Sequence, residues 1–318
     1  MGIHLLNTFL QSLRNNGSRK IDLSSLSGRK IVVDIYIYMY RFKAMGGLLE
    51  NIYLMCSIFR YYNISALFVF DGKVNKLIKN KTLIKRKEER EQAKSKYNQI
   101  KNSLQYANDI EKELLEEKMN KLRRKFIKIS KTDIDDVKCL LDANGMPYLM
   151  ADGEADELCC ALVIKGIAFA CLSEDTDMFA YGCPKILKFI SLINHTAILY
   201  SMSNILNSIN INFNNFQQLC LLSGTDYNSS NKNIFDFYQI YKKKFQKEES
   251  NTSFLEWLLN NKYISTHEYQ EILSIQTIYN KKPETILNNI SYLLIKNKKI
   301  NYKGIESIMS KENFIFAY

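Results

Sequence analysis

Two groups of acidic residues lie close together in residues 148–181 and determine the chemistry that this chain could perform. The first group is Asp152, Glu154, Asp156 and Glu157, and the second is Glu174, Asp175 and Asp177. Crowded carboxylates repel one another and stay ionised only where positive charge compensates. A hard divalent cation such as Mg²⁺ is one source of that charge. The alternative is a solvated helix N-terminus, where carboxylates favour the positive end of the helix dipole.

The segment between the two groups predicts how they are positioned. Residues 158–164 have helical character, and residues 166–172 are a nearly continuous apolar run that starts at a glycine. A short run of this kind is typical of a strand buried on both faces. In an open α/β sheet, functional groups follow the carboxyl ends of the parallel strands. We therefore expect both acidic groups at one edge of a sheet.

Three further acids are associated with predicted strands or helices. Asp34 interrupts an apolar run predicted as a strand, Asp71 directly follows the apolar run at 66–70, and Asp226 follows a predicted helix. A buried Asp needs a partner, so Asp34 is either a metal ligand or a satisfied structural residue. An acid after a strand also starts ordinary turns. The recurrence of acids after successive elements favours a metal site.

The composition is that of a folded chain without signs of a zinc site or a membrane anchor. Of the 318 residues, 46% are hydrophobic and 12% are aromatic, which excludes general disorder. The seven cysteines form no C-x-x-C pair and the three histidines are far apart, so we expect no zinc and a reducing intracellular compartment. No apolar run reaches the ~18 residues of a membrane span, and the N-terminus lacks secretory signal character. We therefore expect a soluble protein.

All of the excess positive charge lies in residues 73–131. This segment holds 19 Lys and Arg against 8 Asp and Glu, a difference equal to the net charge of +11 for the whole chain. Its apolar residues recur every three to five positions from Ile100 to Phe126, as in a sparse amphipathic helix. A basic element beside an acidic site indicates a polyanionic ligand such as nucleic acid. A solvated helical hairpin without a ligand is the alternative.

The order of the predicted elements indicates an α/β fold with a mostly parallel central sheet flanked by helices. Strands are expected at residues 30–35, 66–70, 146–150, 166–172, 185–190 and 196–201. Because the basic segment falls between the second and third strands, we expect it to project as a helical arm. We divide the chain into an N-terminal part of the core (1–72), the basic insertion (73–131), an internal part of the core (132–227) and a helical C-terminal region (228–318).

Five motifs, in this order, resemble the flap endonuclease, or XPG-like, family of structure-specific 5′ nucleases. They are MGI with GRKIVVDIYIYMYRF, FVFDGK, MPYLMADGEADELCCALV, CLSEDTDMFAYG and LCLLSGTDY. Each motif alone is weakly specific, but five in order, each with its acid, are highly specific. The resemblance extends to residue 227, about 70% of the chain. It implies a PIN-like nuclease core, a helical arch formed by residues 73–131, and hydrolysis of DNA by two metal ions.

The same resemblance implies which acids surround the two Mg²⁺ or Mn²⁺ ions. One ion would be surrounded by Asp34, Asp71, Glu154 and Asp156, and the other by Asp156, Asp175, Asp177 and Asp226. Asp156 stands where the family motif carries Glu, which shortens its reach by one methylene. Two cations roughly 4 Å apart can bind one scissile phosphate, activating water and stabilising the leaving oxygen.

The resemblance also implies cations that act on the scissile phosphate. Arg86 resembles the basic residue that contacts this phosphate, and Lys79 resembles its catalytic partner. Because the spacing to Lys79 requires one inserted residue, Lys76 and Lys81 are alternatives. Such cations would neutralise charge that develops on the phosphate during cleavage.

Further DNA contacts follow from the resemblance, with one departure from the family pattern. Tyr40 matches a tyrosine that stacks on a nucleotide, and Gly2 matches a residue that lets the N-terminus approach DNA. After SGTDY the family carries a glycine-rich hairpin for duplex phosphates and a K⁺ ion, whereas this chain has NSSNKNIFDFY. Ser229, Ser230 and Lys232 remain as candidate duplex contacts, and the sequence gives no support for the K⁺ site.

The function implied is that of a flap endonuclease and 5′–3′ exonuclease for branched or nicked DNA in replication, repair or recombination. The expected location is the nucleus or a cytoplasmic site of DNA replication. No sliding-clamp peptide is recognisable, the aromatic NFIFAY end is expected to pack, and we expect a monomer.

Alternatives within the family act on junctions, bubbles or single-stranded RNA. Two other classes are a non-catalytic DNA-binding scaffold, which does not require seven mutually repelling acids, and a small-molecule phosphatase, which does not require the basic arm.

Overall fold

The computed structural model describes residues 2–13, 17–72, 80–104, 115, 118–119, 121–123, 125–248, 252–287 and 296–316, with the backbone alone for 80–86. The chain divides into two compact units. The first contains Met1–Ile35, Ile58–Val74 and Pro147–Asn297, and the second contains Tyr36–Ser57, Asn75–Met146 and Lys298–Tyr318. None of the described helices is long and apolar enough to cross a membrane.

A seven-stranded mixed sheet forms the centre of the first unit. Its strands are β1 (Ser18–Asp22), β2 (Lys30–Asp34), β3 (Ser65–Phe70), β4 (Tyr148–Met150), β5 (Ala170–Leu172), β6 (Lys185–Ser191) and β7 (Thr196–Ser201). Their spatial order is β1-β7-β6-β5-β2-β3-β4. The pairings from β6 to β4 are parallel, and β7 pairs antiparallel with β6 and β1. The predicted α/β fold with a mostly parallel sheet is confirmed.

The order of the strands changes direction between β2 and β5. From β2 the chain adds β3 and then β4 on one side, and it later adds β5 on the other side of β2. Such a topological switch point leaves a crevice for ligands outside the carboxyl ends of the strands. Four of the five residues of β2 and all three of β5 are buried, as expected for central strands of a parallel sheet.

Two parts of the sheet differ from the sequence expectations. Residues 166–169 are not a strand, because the Gly166 and Ile167 amides donate to the Val163 and Leu162 carbonyls, both at 3.0 Å, and thereby end the preceding helix. Strand β1 is not predicted by the sequence because charged residues interrupt its apolar pattern. Charged side chains are typical of an edge strand, which is the position of β1 in the sheet.

The α-helices are spread along both units. Those with both ends among the described residues are α1 (Leu6–Ser12), α2 (Ile35–Met45), α3 (Leu48–Tyr61), α4 (Asn80–Ser103), α5 (Lys131–Ala143), α6 (Ala155–Ile164), α7 (Asp177–Ala180), α8 (Met202–Ile209), α9 (Phe213–Leu222), α10 (Ile234–Lys243), α11 (Phe254–Asn260), α12 (Thr266–Tyr279), α13 (Pro283–Leu287) and α14 (Tyr302–Met309). Helices α10, α11 and α12 each begin with a capping box, in which side chains satisfy exposed amides. All seven cysteines are free thiols, and six of them are buried.

The second unit is helical where the structure describes it. Within it, the Lys43 ammonium pairs with the Asp133 carboxylate at 2.5 Å. The rings of Phe314 and Phe316 pack against Tyr53 of α3, with centroid distances of 6.4 and 5.6 Å. The aromatic residues near the C-terminus are therefore packed into this unit.

Candidate metal centre

Carboxylates reach one edge of the sheet from three adjacent strands. Asp34 is the last residue of β2, Asp71 directly follows β3, and Asp175 lies shortly after β5. Because β3, β2 and β5 pair in parallel, their carboxyl ends lie at the same edge. Asp34 and Asp175 therefore flank the switch point between β2 and β5.

The N-terminus of α6 brings two more carboxylates to this edge. Glu154 is the N-cap residue of α6, and Asp156 lies in its first turn. The Ala155 amide donates to Oδ1 of Asp71 at 2.8 Å, so Asp71 caps this helix from outside its own sequence. The position of Asp71 is compatible both with helix capping and with metal binding.

The negative charge of the Asp156 carboxylate is poorly compensated by its surroundings. Its Oδ1 atom is buried and forms no hydrogen bond with any described residue. Burial, and then the charges of Asp34, Asp175 and Asp177, raise the pKa of Asp156 well above the usual carboxyl value. A hard cation would relieve both causes, since it prefers oxygen ligands and carries the opposite charge. The residues at this edge therefore fit a divalent ion better than they fit a solvated helix end.

The loop after β5 holds its carboxylates through local hydrogen bonds. Oγ of Ser173 donates to Oδ2 of Asp34 at 3.0 Å and accepts from the Asp175 amide at 3.1 Å. The Asp177 amide donates to Oδ1 of Asp175 at 3.0 Å. Asp34 and Asp177 are each 5% exposed and Asp175 is 8% exposed. Protein contacts, rather than bulk solvent, therefore set the orientation of these three side chains.

The N-terminus of the chain packs against the same loop. The Ile3 amide donates to Oγ1 of Thr176 at 2.7 Å. A Cβ atom on Gly2 would lie 2.3 Å from Oδ1 of Asp175 and 2.7 Å from Oδ1 of Asp177. Gly2 also has φ +82°, a conformation that residues with side chains rarely adopt. Gly2, which the sequence predicts as a DNA contact, is thus in direct contact with the acidic edge. By this name we mean the end of the sheet that carries Asp34, Asp71, Glu154, Asp156, Asp175 and Asp177.

Two tyrosines donate hydrogen bonds to carboxylates of this edge. The hydroxyl of Tyr227 donates to Oε2 of Glu154 at 3.2 Å, and that of Tyr279 donates to Oδ2 of Asp177 at 2.8 Å. Burial, and then the neighbouring carboxylates, raise the pKa of both phenols, so both remain protonated donors at neutral pH. Tyr279 ends α12, far along the chain from the acids, and no spacing in the sequence indicates it.

Asp226 lies in a loop that is fixed by its neighbours. The amide and Oγ1 of Thr225 donate to Oδ1 of Asn228 at 3.0 and 2.8 Å. Asp226 is partly buried. It directly precedes Tyr227, whose hydroxyl contacts Glu154. The contact of Tyr227 brings this loop to Glu154, and the role of Asp226 as a metal ligand stays a prediction.

The other acids of the two groups are engaged elsewhere or exposed. Oε1 of Glu157 pairs with the Lys281 ammonium at 2.6 Å. Oε1 of Glu174 accepts from the Phe189 amide at 2.8 Å, at a bulge where β6 loses its register with β7. Asp152 is exposed. We therefore assign no metal ligation to these three acids.

A buried lysine, which the sequence analysis does not single out, contacts the second acidic group. The side chain of Lys188 in β6 is 0% exposed. Its Nζ atom donates to the main-chain oxygens of Glu174 and Asp175 at 2.6 and 3.3 Å. Burial lowers the pKa of Lys188, while the Glu174 and Asp175 charges oppose that change. A lysine inside an apolar strand pattern is the sequence signal that could have identified it.

The predicted DNA-contact residues around the arm are described only in part. Lys76 and Lys79 lie outside the described residues, and for Lys81 and Arg86 of α4 the structure describes only the backbone. Tyr40 lies on α2 and is partly buried. The roles of these residues on DNA stay predictions.

Ser229, Ser230 and Lys232 lie in the loop that joins α9 to α10. Ser229 is exposed, and Oγ of Ser230 accepts from the Lys232 amide at 3.2 Å. The Nζ atom of Lys232 lies 5.7 Å from the centroid of the Phe237 ring. The segment is a helix, a loop and a helix, and its role in duplex binding stays a prediction.

The acidic edge is not a preformed metal cage. Among the described residues, no group of three or more His, Cys, Asp or Glu side chains is arranged to hold an ion as it stands. A divalent ion could be held here by rotation of the carboxylates or through water molecules that stay bound to the ion.

A cavity of about 450 Å³ lies beside Arg29, Phe169 and Lys185, at the amino ends of β2, β5 and β6. That cavity contains none of the predicted site residues.

Two protein-family regions and a flap endonuclease match this chain in sequence. The XPG N-terminal domain matches residues 1–93, and the XPG I-region matches residues 145–226. Flap endonuclease 1 of mouse (Mus musculus) is 30% identical over 250 residues, which cover 74% of this chain and 63% of that protein. The chain therefore matches less than two thirds of the length of this relative.

Solved structures share the fold. The catalytic core of Rad2 in complex with DNA substrate has a TM-score of 0.65 at 21% identity, covering 98% of this chain and 95% of that chain. The Holliday junction-resolving enzyme GEN1, in complex with product DNA and a Mg²⁺ ion, has a TM-score of 0.62 at 17% identity, covering 96% and 72%. The fold is thus the α/β core found in these nucleases. With both XPG regions present, the chain belongs to the XPG and flap endonuclease family of structure-specific 5′ nucleases, and the resemblance of its motifs is confirmed.

Proposed function

We propose that this chain is a divalent-metal-dependent nuclease that hydrolyses phosphodiester bonds in branched or nicked DNA, as a flap endonuclease and 5′–3′ exonuclease. The observation that supports it best is the meeting of Asp34, Asp156 and Asp175 at the switch point, around a buried carboxylate oxygen. Carboxylates in this state are stabilised by a bound cation or by a proton, and a hard cation has the oxygen preference that fits them. The positive charge of residues 73–131 is suited to a polyanionic substrate.

Two overlapping sets of carboxylates would hold two Mg²⁺ or Mn²⁺ ions. The sets are Asp34, Asp71, Glu154 and Asp156, and Asp156, Asp175, Asp177 and Asp226. When bound, such ions stabilise charge on a phosphodiester and make a water more acidic for in-line attack. The chain orients the ligands, since the Ser173 hydroxyl holds Asp34 and the Ala155 amide holds Asp71.

The basic segment would hold the nucleic acid while the acidic edge acts on it. Arg86 and Lys79, with Lys76 or Lys81 as alternatives to Lys79, would neutralise charge on the scissile phosphate. Tyr40 would stack on a base next to the cleavage point. The loop with Ser229, Ser230 and Lys232 would contact the duplex. This part of the proposal is supported by the charge distribution and by the family.

The substrate is tested by cleavage of 5′-labelled DNA. We would compare a double flap with nicked duplex, a four-way junction, a bubble, single-stranded DNA and single-stranded RNA, each with Mg²⁺ and with EDTA. The proposal predicts Mg²⁺-dependent release of the flap close to its junction, faster than cleavage of the other substrates. Equal or faster cleavage of the four-way junction, the bubble or single-stranded RNA would replace the flap assignment by another specificity within the family. No cleavage of any substrate would contradict the proposed activity.

Gly2→Ala is expected to weaken divalent-ion binding about 10-fold, because the added methyl overlaps Oδ1 of Asp175 and Oδ1 of Asp177. Calorimetric titration with Mn²⁺ would measure the change. Gly28→Ala is the matched control, since Gly28 also has a positive φ, +73°, but has no atom within 4 Å of its added Cβ. The control should lose stability of about 1 kcal/mol and no metal affinity. Equal metal affinity in the two variants would contradict contact between Gly2 and the metal ligands.

Asp156→Asn is expected to stabilise the protein in EDTA while removing most of its stabilisation by Mg²⁺. Because folding raises the pKa of Asp156, its charge opposes folding as the pH rises through and above the usual carboxyl range. Neutralising it should raise the melting temperature in EDTA by roughly 2–4 °C, on the order of 1 kcal/mol. Mg²⁺ should raise the melting temperature of the wild type more than that of the variant.

The control for this experiment is Asp152→Asn, which changes an exposed carboxylate of the same acidic group. It should leave both melting temperatures close to those of the wild type. A lower melting temperature of Asp156→Asn in EDTA would show that the Asp156 charge is already compensated in the folded protein.

A further inference from the structure

We propose that Tyr279 is a positioning residue for the metal centre, which holds one oxygen of Asp177 and so determines which oxygen is presented to a cation. The inference rests on the proposed function, because Asp177 is a metal ligand only within it. The hydroxyl of Tyr279 donates to Oδ2 of Asp177 at 2.8 Å, and both residues are buried.

The contact fixes the rotation of the Asp177 carboxylate. With Oδ2 held by Tyr279, the other oxygen, Oδ1, faces Gly2, on the same side as Oδ1 of Asp175. Two carboxylate oxygens that face one small residue would repel each other and turn apart unless something held them. The phenol is such a restraint, and it also carries no charge that would compete with a cation.

The ring of Tyr279 is itself held in place. Its centroid lies 4.6 Å from that of Tyr181 and 5.7 Å from that of Tyr227. At the end of α12, Nε2 of Gln217 donates to Oδ1 of Asn280 at 2.9 Å and to the Ala180 carbonyl of α7 at 2.8 Å. Since α7 begins at Asp177, the same polar contacts connect the C-terminal helical region to the helix that carries the ligand.

A supporting donor of this kind affects the metal affinity of a site as well as the stability of the fold. Donors that orient metal ligands typically contribute about 10- to 100-fold in metal affinity. Any buried hydroxyl that forms a hydrogen bond also stabilises the fold, whether or not it touches a metal ligand. Metal affinity, compared with that of a variant that loses a buried hydroxyl elsewhere, therefore separates a positioning role from a merely structural one.

The test is Tyr279→Phe, which keeps the ring and removes the donor. Tyr241→Phe is the matched control, because Tyr241 is a buried tyrosine of α10 whose hydroxyl accepts from Nδ2 of Asn215 at 3.0 Å, a contact that involves no carboxylate. We would titrate each protein with Mn²⁺ in a calorimeter, measure its melting temperature in EDTA, and measure cleavage rate against Mg²⁺ concentration.

Tyr279→Phe should bind Mn²⁺ about 10-fold more weakly and require correspondingly more Mg²⁺ for half-maximal cleavage, whereas Tyr241→Phe should match the wild type in both. Both variants should melt at a lower temperature than the wild type in EDTA, because each loses a buried hydrogen bond. Unchanged Mn²⁺ affinity in Tyr279→Phe, with the wild type binding Mn²⁺ and cleaving DNA, would overturn this inference alone. A wild type that binds no divalent ion would overturn the proposed function and this inference together.

Discussion

Asp177→Asn is expected to lower the single-turnover rate of DNA cleavage by about 10³-fold or more while leaving DNA affinity nearly unchanged. Asparagine keeps the size of the side chain and an oxygen that can accept from Tyr279, but it removes the negative charge that a metal requires. Loss of ~4 kcal/mol of charge stabilisation in the transition state corresponds to a factor of this size. DNA affinity should persist, because the excess positive charge lies in residues 73–131.

Cleavage would be measured with Mg²⁺, and DNA binding with Ca²⁺ in place of Mg²⁺. Asp22→Asn, which changes an exposed carboxylate at the end of β1, is the control and should behave as the wild type. Equal loss of binding and cleavage in Asp177→Asn would assign Asp177 to the DNA surface or to folding. Unchanged DNA processing by this variant would favour the non-catalytic scaffold.

Lys188→Met is expected to lower the free energy of unfolding by about 3 kcal/mol. Methionine fills much of the same volume but leaves the main-chain oxygens of Glu174 and Asp175 without the ammonium that now donates to them. The substitution also removes the positive charge next to the loop that carries Glu174 and Asp175. Part of the loss is offset, because the variant no longer buries a charge.

Urea unfolding in EDTA would measure the effect. Lys185→Met is the matched control, with the same substitution at the start of the same strand, where the ammonium lies 4.2 Å from the Phe169 ring centroid and is partly exposed. A cation–π contact of this kind is worth ~0.5–1 kcal/mol. If the free energy of unfolding falls by only ~0.5–1 kcal/mol in both variants, Lys188 does not hold the loop of Glu174 and Asp175 in solution.

The central strands could be predicted from the sequence because their pattern is local. Asp34 interrupts the apolar run that contains β2, and the run that contains β3 ends just before Asp71, as the sequence shows directly. The parallel order of the strands then brings these acids to one edge. This part of the fold follows from short apolar runs and from the rule that ligands collect beyond the carboxyl ends of strands.

The contacts that orient the acids could not be predicted in the same way. Tyr279 reaches Asp177 across 102 positions of the chain, and in the sequence it is one more aromatic residue in a helix. Lys188 interrupts an apolar strand, but only the fold shows that it contacts the loop of Glu174 and Asp175. Such contacts depend on tertiary packing and leave no periodic pattern.

Asp71 shows a different limit of sequence reasoning. A carboxylate after a strand can start a turn, cap a helix or bind a metal, and the three roles use the same residue type. The structure adds one contact, the hydrogen bond from the Ala155 amide, which the sequence pattern does not contain. The capping role and the proposed metal role then share one carboxylate, with Oδ1 as the capping oxygen.

Anomalous diffraction from crystals grown with MnCl₂ would show whether the acidic edge at the switch point holds two divalent ions. We expect two manganese peaks roughly 4 Å apart, both in contact with Asp156, and with Asp34 and Asp177 each in contact with at least one of them. No peak among these carboxylates at millimolar Mn²⁺, in a protein that still cleaves DNA with Mg²⁺, would show that this edge does not hold the two ions.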